Sequence, residues 1–193
     1  MVLVLVIGDC HVPHRAPAIP QKFQNLLKPG KIQHVLCTGN VTCQSTYNYL
    51  KSLPSGKVHT VLGDMDNIET ITAQDQLKLN IGEFKIGMVH GHQIVPWNNE
   101  VAVDSYRRQM NVDILISGHT HECCVEERDD GFFVNPGSST GAINVNGERN
   151  QPSFVLLDIS ANSCVTYVYR LKEDNEVAVD KHEFKKQQQT VVS

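Results

Sequence analysis

Five apolar runs in this chain each break off at a small cluster of Gly, Asp, Asn or His. They are residues 2–7, 35–37, 58–62, 86–89 and 114–116, followed by GDCH at 8–11, GNVTC at 39–43, GDMDN at 63–67, HGH at 90–92 and GHTH at 118–121. Uninterrupted Val, Ile and Leu stretches of this length suit strands covered on both faces, as in sheets packed between layers. The polar clusters then fall in loops at strand ends, where a rigid frame can aim them. Between the first runs lie two helical patterns, IPQKFQNLL (19–27) and STYNYLKSL (45–53), with Pro20 near a helix start and KPGK (28–31) as a stop. Right-handed crossovers in such β-α-β units bring the first two loops to the carboxyl edge of one sheet.

A third helical pattern at 100–110 precedes VDILISGHTH, after which the texture changes to hairpins. EERDDGFFV carries an Asp-Gly turn, LLDISANSCVTYVY a polar turn and RLKEDNEVAV another. These predict a second, largely antiparallel sheet built from the C-terminal part. The expected fold is α/β, a layered sandwich of two mixed or antiparallel β-sheets flanked by helices, forming one domain over residues 1–186. The last residues, QQQTVVS (187–193), are expected to fray.

At 193 residues the chain can bury a substantial core. A formal charge of −4, with Lys and Arg scattered, gives no electrostatic reason to expect nucleic acid or an anionic membrane as principal partner. The opening MVLVLVIG lacks a basic flank and stops too soon for a signal peptide or a membrane span, so it is a buried strand. Without an export signal, the six cysteines are expected to be reduced thiols in the cytosol.

Asp, Asn and His supply the oxygen and imidazole donors that suit Mn²⁺, Zn²⁺ or Fe²⁺. In a strand-end loop, side chains at i and i+2 can reach one pocket, and both Asp9/His11 and His119/His121 have that spacing. One histidine alone is more often a surface or hydrogen-bonded core residue, and Gly-Asp alone is usually a turn. Five ordered strand ends of the same kind are hard to assign to accident. A structural zinc knot of His119, His121, Cys123 and Cys124 is the competing metal reading, although the second ligand arm typical of such knots is missing.

The series D-x-H, G-N, G-D-x-D, H-G and G-H-x-H resembles the calcineurin-like metallophosphoesterases, especially their small single-domain phosphodiesterase branch. Within it, IQHVLCTGN, FKIGMVHGHQIVPW, VDILISGHTH, VNPGSSTGA and PSFVLLDI resemble the retromer small-subunit family, over nearly the whole chain. The resemblance implies up to two divalent ions, Zn or Mn. Asp9, His11, Asn40 and His121 would hold one, and Asn40, Asp64, His90 and His119 the other, with Asn40 bridging. Asp66 and His92 are expected beside the ligands, where hydrogen bonds fix imidazole tautomers.

Active members of the superfamily commonly carry Asp at the bridging position and Asn-His in the third motif. Here Asn40, Asp64 and Met65 stand there. Two dications about 4 Å apart repel by roughly 16 kcal/mol at an effective dielectric of 20, and a neutral amide offsets less of this than a carboxylate. Met65 cannot donate a proton, and losing a general acid costs about 10²- to 10⁴-fold in rate. Esters with good leaving groups need little such help. No catalytic residue is therefore expected, and Met65 marks a vestigial position.

An apolar stretch, Ile94, Val95, Pro96 and Trp97, follows the fourth motif, where a loop would usually be polar. It is either ordinary packing or an anchor patch for a partner. Leu156 and Tyr169, in an apolar hairpin, belong either to strands buried on both faces or to a second exposed patch. The resemblance implies two partners: the large α-solenoid sorting subunit of retromer over the metal end, and endosomal regulators such as Rab GTPase-activating or exchange proteins elsewhere. It also implies a cytoplasmic protein, peripheral on endosomal membranes through its complex, that scaffolds cargo retrieval. The alternative is a metal-dependent phosphodiesterase or phosphatase acting on a small substrate.

Overall fold

Side chains alternate along a strand, and the first apolar run uses that alternation to serve two cores. Val4 and Val6 point into one, Leu5 and Ile7 into the other, and all four are fully buried. The computed structural model describes residues 1–27, 31–53, 57–67, 71, 73–128 and 131–186. Its elements in chain order are β1 (Val2–Ile7), α1 (Gln21–Leu26), β2 (Ile32–Cys37), α2 (Gln44–Ser52), β3 (Val58–Thr60), β4 (Gln76–Ile81), β5 (Phe84–Val89), α3 (Glu100–Met110), β6 (Ile114–Ile116), β7 (Cys123–Arg128), β8 (Gly131–Pro136), β9 (Ser153–Ser160), β10 (Ser163–Leu171) and β11 (Val177–Lys185).

One sheet runs β11-β10-β9-β1-β2-β3 and the other β4-β5-β6-β8-β7. β1, β2 and β3 are mutually parallel, as are β5, β6 and β8, while the remaining pairings are antiparallel. Both sheets are therefore mixed. The inner core joins Val4, Val6 and Leu36 of one sheet to Phe84, Ile86, Met88 and Phe132 of the other. A second core packs Leu5, Ile7 and Val35 against Phe23 of α1 and Tyr47 and Leu50 of α2. A third packs Val89, Leu115 and Phe133 against Met110 of α3. Helix, sheet, sheet and helix thus stack as layers, which is the expected α/β sandwich.

The bounds of β1, α3 and β6 match the sequence reading, and β2 and β5 begin earlier than their apolar runs suggest. The assignment of the C-terminal hairpins needs correction. Only the first of them, β7–β8, joins the second sheet; β9 pairs antiparallel with the free edge of β1, aligning Val4 with Leu157 and Val6 with Val155, and β10 and β11 extend that sheet. The second sheet comes from the middle of the chain. Its edge strand β4 was not expected, although Gln76-Leu77-Lys78-Leu79-Asn80-Ile81 alternates polar and apolar as a half-covered strand does. β7 and β8 form the expected hairpin, pairing Arg128 with Gly131. The turn residues Asp129 and Asp130, the stop signal at 28–30 and the tail 187–193 lie outside the described residues.

α3 is capped at both ends: the Asn99 side chain accepts from the Ala102 N–H at 2.9 Å, and Asn111 closes the helix in the left-handed region. All six cysteines are free thiols. Among the described residues no helix is long and apolar enough to cross a membrane.

A candidate metal centre

The carboxyl ends of parallel strands from both sheets meet at one pocket, and the backbone there is strained. Asp9, His11, Asn40, His119 and His121 have φ of 47°, 48°, 52°, 72° and 62°. For non-glycine residues this region costs roughly 1–2 kcal/mol each, so the surrounding packing must hold them. Glycines permit the close approach. A Cβ on Gly63 would lie 2.2 Å from Asn40 Oδ1, and one on Gly118 would lie 2.6 Å from Asp9 Oδ2.

Two groups of ligand-type residues result, Asp9/His11/His121 and Asp64/His90/His119, with the donor atoms of each group within 4.8 Å of one another. In the first, His11 Nε2 and His121 Nε2 are 3.0 Å apart, and Asp9 Oδ1 is 3.8 and 3.7 Å from them. Two imidazole nitrogens sharing a tetrahedral zinc would be about 3.3 Å apart at normal Zn–N lengths. In the second, Asp64 Oδ1 is 2.9 Å from His90 Nε2 and 3.6 Å from His119 Nδ1. Asn40 sits against the second group, its Nδ2 2.9 Å from Asp64 Oδ1 and 3.0 Å from His90 Nε2. Asp9 Oδ1 also comes within 3.9 Å of His90 Nε2.

The donor set fits divalent cations. Asp9 Oδ1 and His119 Nε2 are buried without a hydrogen-bond partner, and an unpaired buried carboxylate oxygen is costly unless a cation meets it. Burial accordingly raises the Asp9 pKa above the usual range, against the lowering influence of His90 and His121. His90 Nδ1 lies 2.6 Å from the Thr38 carbonyl and His121 Nδ1 2.9 Å from the Ala142 carbonyl. Donation to those carbonyls turns both Nε2 atoms inward, the His121 one with its lone pair free to ligate and the His90 one bonded to Asp64, a bond that a metal would have to displace. Burial, reinforced by the charges of His121 and Arg15, pushes His11 down to about 3. Burial and the His90 charge push His119 down to about 4. Both rings are therefore in the neutral, ligating form at pH 7. His90 differs: burial lowers its pKa, but the Asp64 hydrogen bond and the Asp9 charge outweigh burial and raise it. The same bond to His90 holds Asp64 below the usual carboxylate range, although burial opposes it.

Asp66 and His92 lie beside the candidate ligands, but among the described hydrogen bonds neither fixes an imidazole tautomer. Asp66 braces two loops, accepting the N–H groups of Asn40, Thr42 and Gly63 at 2.7, 3.0 and 3.0 Å. His92 makes ring contacts with His90 and His119 at centroid separations of 5.4 and 6.1 Å, and its Nδ1 has no hydrogen-bond partner. The Thr38 and Ala142 carbonyls do the orienting, and backbone carbonyls leave no trace in a motif. Met65 donates its N–H to Asn40 Oδ1 at 2.9 Å, and its thioether accepts from Arg15 Nη2 at 3.2 Å.

The apolar stretch after the fourth motif divides. Ile94 turns inward and packs with Val89, Met110 and Leu115, only 5% exposed, so it drops out of the expected anchor patch. Val95, Pro96 and Trp97 are exposed, the first at 71% and Trp97 at 47%. The Trp97 ring lies against His119, centroids 4.6 Å apart. Leu156 and Tyr169 are half-buried on the α1 side of the first sheet, with Tyr169 stacked on Phe154 at 4.6 Å and 7°. With Leu3, Leu26, Leu27 and Ile32 they line a shallow apolar groove away from the metal residues. That outer face is neither fully covered nor fully open.

Residues 2–162 match the calcineurin-like phosphoesterase superfamily domain. The chain is 44% identical over 190 residues to vacuolar protein sorting-associated protein 29 of Schizosaccharomyces pombe, covering 95% of this chain and 98% of that one. The crystal structure of Entamoeba histolytica Vps29 complexed with zinc is similar with a TM-score of 0.88 at 45% identity, over 95% of this chain and all of the other. Chaetomium thermophilum Vps29 complexed with a cyclic peptide matches with a TM-score of 0.84 at 36% identity, over 97% of this chain and 98% of its own.

Proposed function

Because the chain belongs to the vacuolar protein sorting-associated protein 29 family, within the calcineurin-like phosphoesterase superfamily, we propose that it is a scaffold subunit of retromer whose metal end is a docking surface. Its principal partner on this reading is the large α-solenoid sorting subunit, seated over the metal loops. The groove of Leu156 and Tyr169 takes endosomal regulators of the Rab GTPase-activating or exchange type. The protein then works in the cytoplasm and reaches endosomal membranes through its complex.

The supporting observation is the pairing, at one rim, of an altered site with exposed apolar side chains. Asn40 meets the second ligand group as a neutral amide, and Met65 offers a thioether in place of a proton donor. Val95 and Trp97 lie exposed, with the Trp97 ring against His119 of the second group. A substrate pocket needs polar reach at its mouth, whereas a desolvated centre of aromatic and aliphatic side chains is what a protein interface uses.

Asp9, His11 and His121, with Asn40, are proposed to hold one divalent ion, and Asp64, His90 and His119, with Asn40, a second. Bound there, such ions supply positive charge and Lewis acidity at the floor of the interface. The chain's own residues position that floor: Thr38 and Ala142 orient His90 and His121, and Asp66 ties the second and third loops together. A weak phosphodiesterase is the second reading, favoured by the completeness of the two ligand groups.

Isothermal titration with a C-terminal fragment of the large sorting subunit tests the scaffold role. Submicromolar binding that is abolished by Val95→Asp is expected. No binding by folded wild-type protein would return the hydrolase reading to first place.

A further inference from the structure

Arg15 lies at the mouth of the metal pocket and belongs to none of the metal-ligand groups. Its Nη1 donates to the Ile143 carbonyl at 2.8 Å and its Nη2 to the Met65 thioether at 3.2 Å. A thioether is a weak acceptor, so this second bond is readily exchanged for a better one. Among the described residues Arg15 makes no ion pair. The nearby carboxylates are otherwise engaged: Asp64 with His90 and Asn40, and Asp66 with three backbone N–H groups. Arg15 is also close enough to the pocket for its charge to help depress the His11 pKa.

Two of the residues that Arg15 contacts carry exposed apolar side chains. Met65, 45% exposed, and Ile143, 37% exposed, flank Arg15 through the contacts just given, and Val145 follows in the same loop. Val95 and Trp97 stand on the far side, beyond His119. A half-buried guanidinium flanked by exposed apolar side chains has the make-up of an interface hot spot, because such side chains, once covered, exclude water from whatever the charge binds. The planar fork of arginine matches a carboxylate through two parallel N–H···O bonds.

We propose that Arg15 receives a carboxylate side chain of the docked partner, inside the apolar rim of Met65, Val95, Trp97, Ile143 and Val145. This rests on the reading of the metal end as a docking surface. The carboxylate displaces the Met65 thioether from Nη2, and the bond from Nη1 to the Ile143 carbonyl keeps the guanidinium in place. Met65 then holds Arg15 ready in the free protein through a bond weak enough to be exchanged.

The test is titration with unphosphorylated C-terminal fragment of the large sorting subunit, at low and high salt, using wild type, Arg15→Met, Arg15→Lys and Val95→Asp. Melting temperature and the far-ultraviolet circular dichroism spectrum confirm that each variant is folded. Arg15→Met is expected to weaken binding by roughly 30-fold or more and to flatten its salt dependence. Arg15→Lys should lie between, retaining charge without the fork. Arg15→Glu should be rescued by reversing one acidic residue of the fragment to Arg. Wild-type affinity and salt dependence in Arg15→Met, alongside loss in Val95→Asp, would overturn the role of Arg15 and leave the docking surface standing. Failure of every acidic-to-Arg reversal to rescue Arg15→Glu would overturn the carboxylate assignment. Absence of binding by wild type would remove both together.

Discussion

The two halves of the metal centre use the same residue types and behave differently without a metal. Asp9, His11 and His121 are buried, their inward-facing atoms about 3–4 Å apart, and Asp9 Oδ1 has no hydrogen-bond partner. Asp64, by contrast, is 38% exposed and already bonded to His90 and to the Asn40 amide. The first group has an unmet need for a cation. In the second, an internal ion pair partly meets that need, and a metal must compete with it. The groups should therefore bind ions with unequal strength.

The largest expected effect is at the first group. Asp9→Asn keeps an acceptor for the His119 N–H, which Asp9 Oδ2 now binds at 2.9 Å, but removes the buried charge. Zinc affinity by calorimetry should fall by about 10²-fold or more, the scale of losing an uncompensated charge–charge contact in a buried site. An unchanged isotherm would show that the tight site lies elsewhere. Asn40→Asp should act at the second group in the opposite sense, strengthening the weaker zinc event by about tenfold, since the new carboxylate offsets repulsion between the ions. Two equivalent zinc events in wild type would break the comparison outright.

The smallest expected effect concerns acidity. The folded protein holds His11 at about 3 and His119 at about 4, both below the ordinary 6.5. Between those values the unfolded chain binds protons that the folded chain refuses, so stability falls as pH drops below about 6.5 and levels off below the folded values. His90 is raised and works in the other direction, contributing stability at low pH that is lost as pH rises through its folded value. The melting temperature of metal-free protein should therefore decline from about pH 7 to about pH 5, and less steeply in His11→Gln. An equal decline in that variant would contradict the assignment.

That the ligand-type residues gather at one end was legible in the sequence, because their motifs follow buried strands and carry glycine, so the motif order carried the geometry. Layering was legible for the same reason, since a run apolar at every position has two faces to cover. Sheet membership was not. Whether β9 pairs with β1 or with a strand of the other sheet depends on contacts about 150 residues apart, as between Val4 and Leu157, and local pattern is silent on that. Ile94 and Val95 are adjacent and equally apolar, yet one is core and the other surface, a distinction made by the turn of a single loop. Arg15 went unnoticed as one charge in a loop, and Ile143 and Val145 could have been found as apolar residues in a stretch rich in Gly and Asn.

The central claim is that the metal end has kept its ligands and given up efficient hydrolysis. Its most direct test is steady-state turnover of a generic phosphodiester with Mn²⁺, comparing wild type with the Asn40→Asp, Met65→His double variant. The account predicts wild-type turnover close to the metal-only blank and a gain of about 10²-fold or more in the double variant, from a restored bridging carboxylate and proton donor. Robust wild-type turnover at micromolar metal, unimproved by the two substitutions, would contradict it.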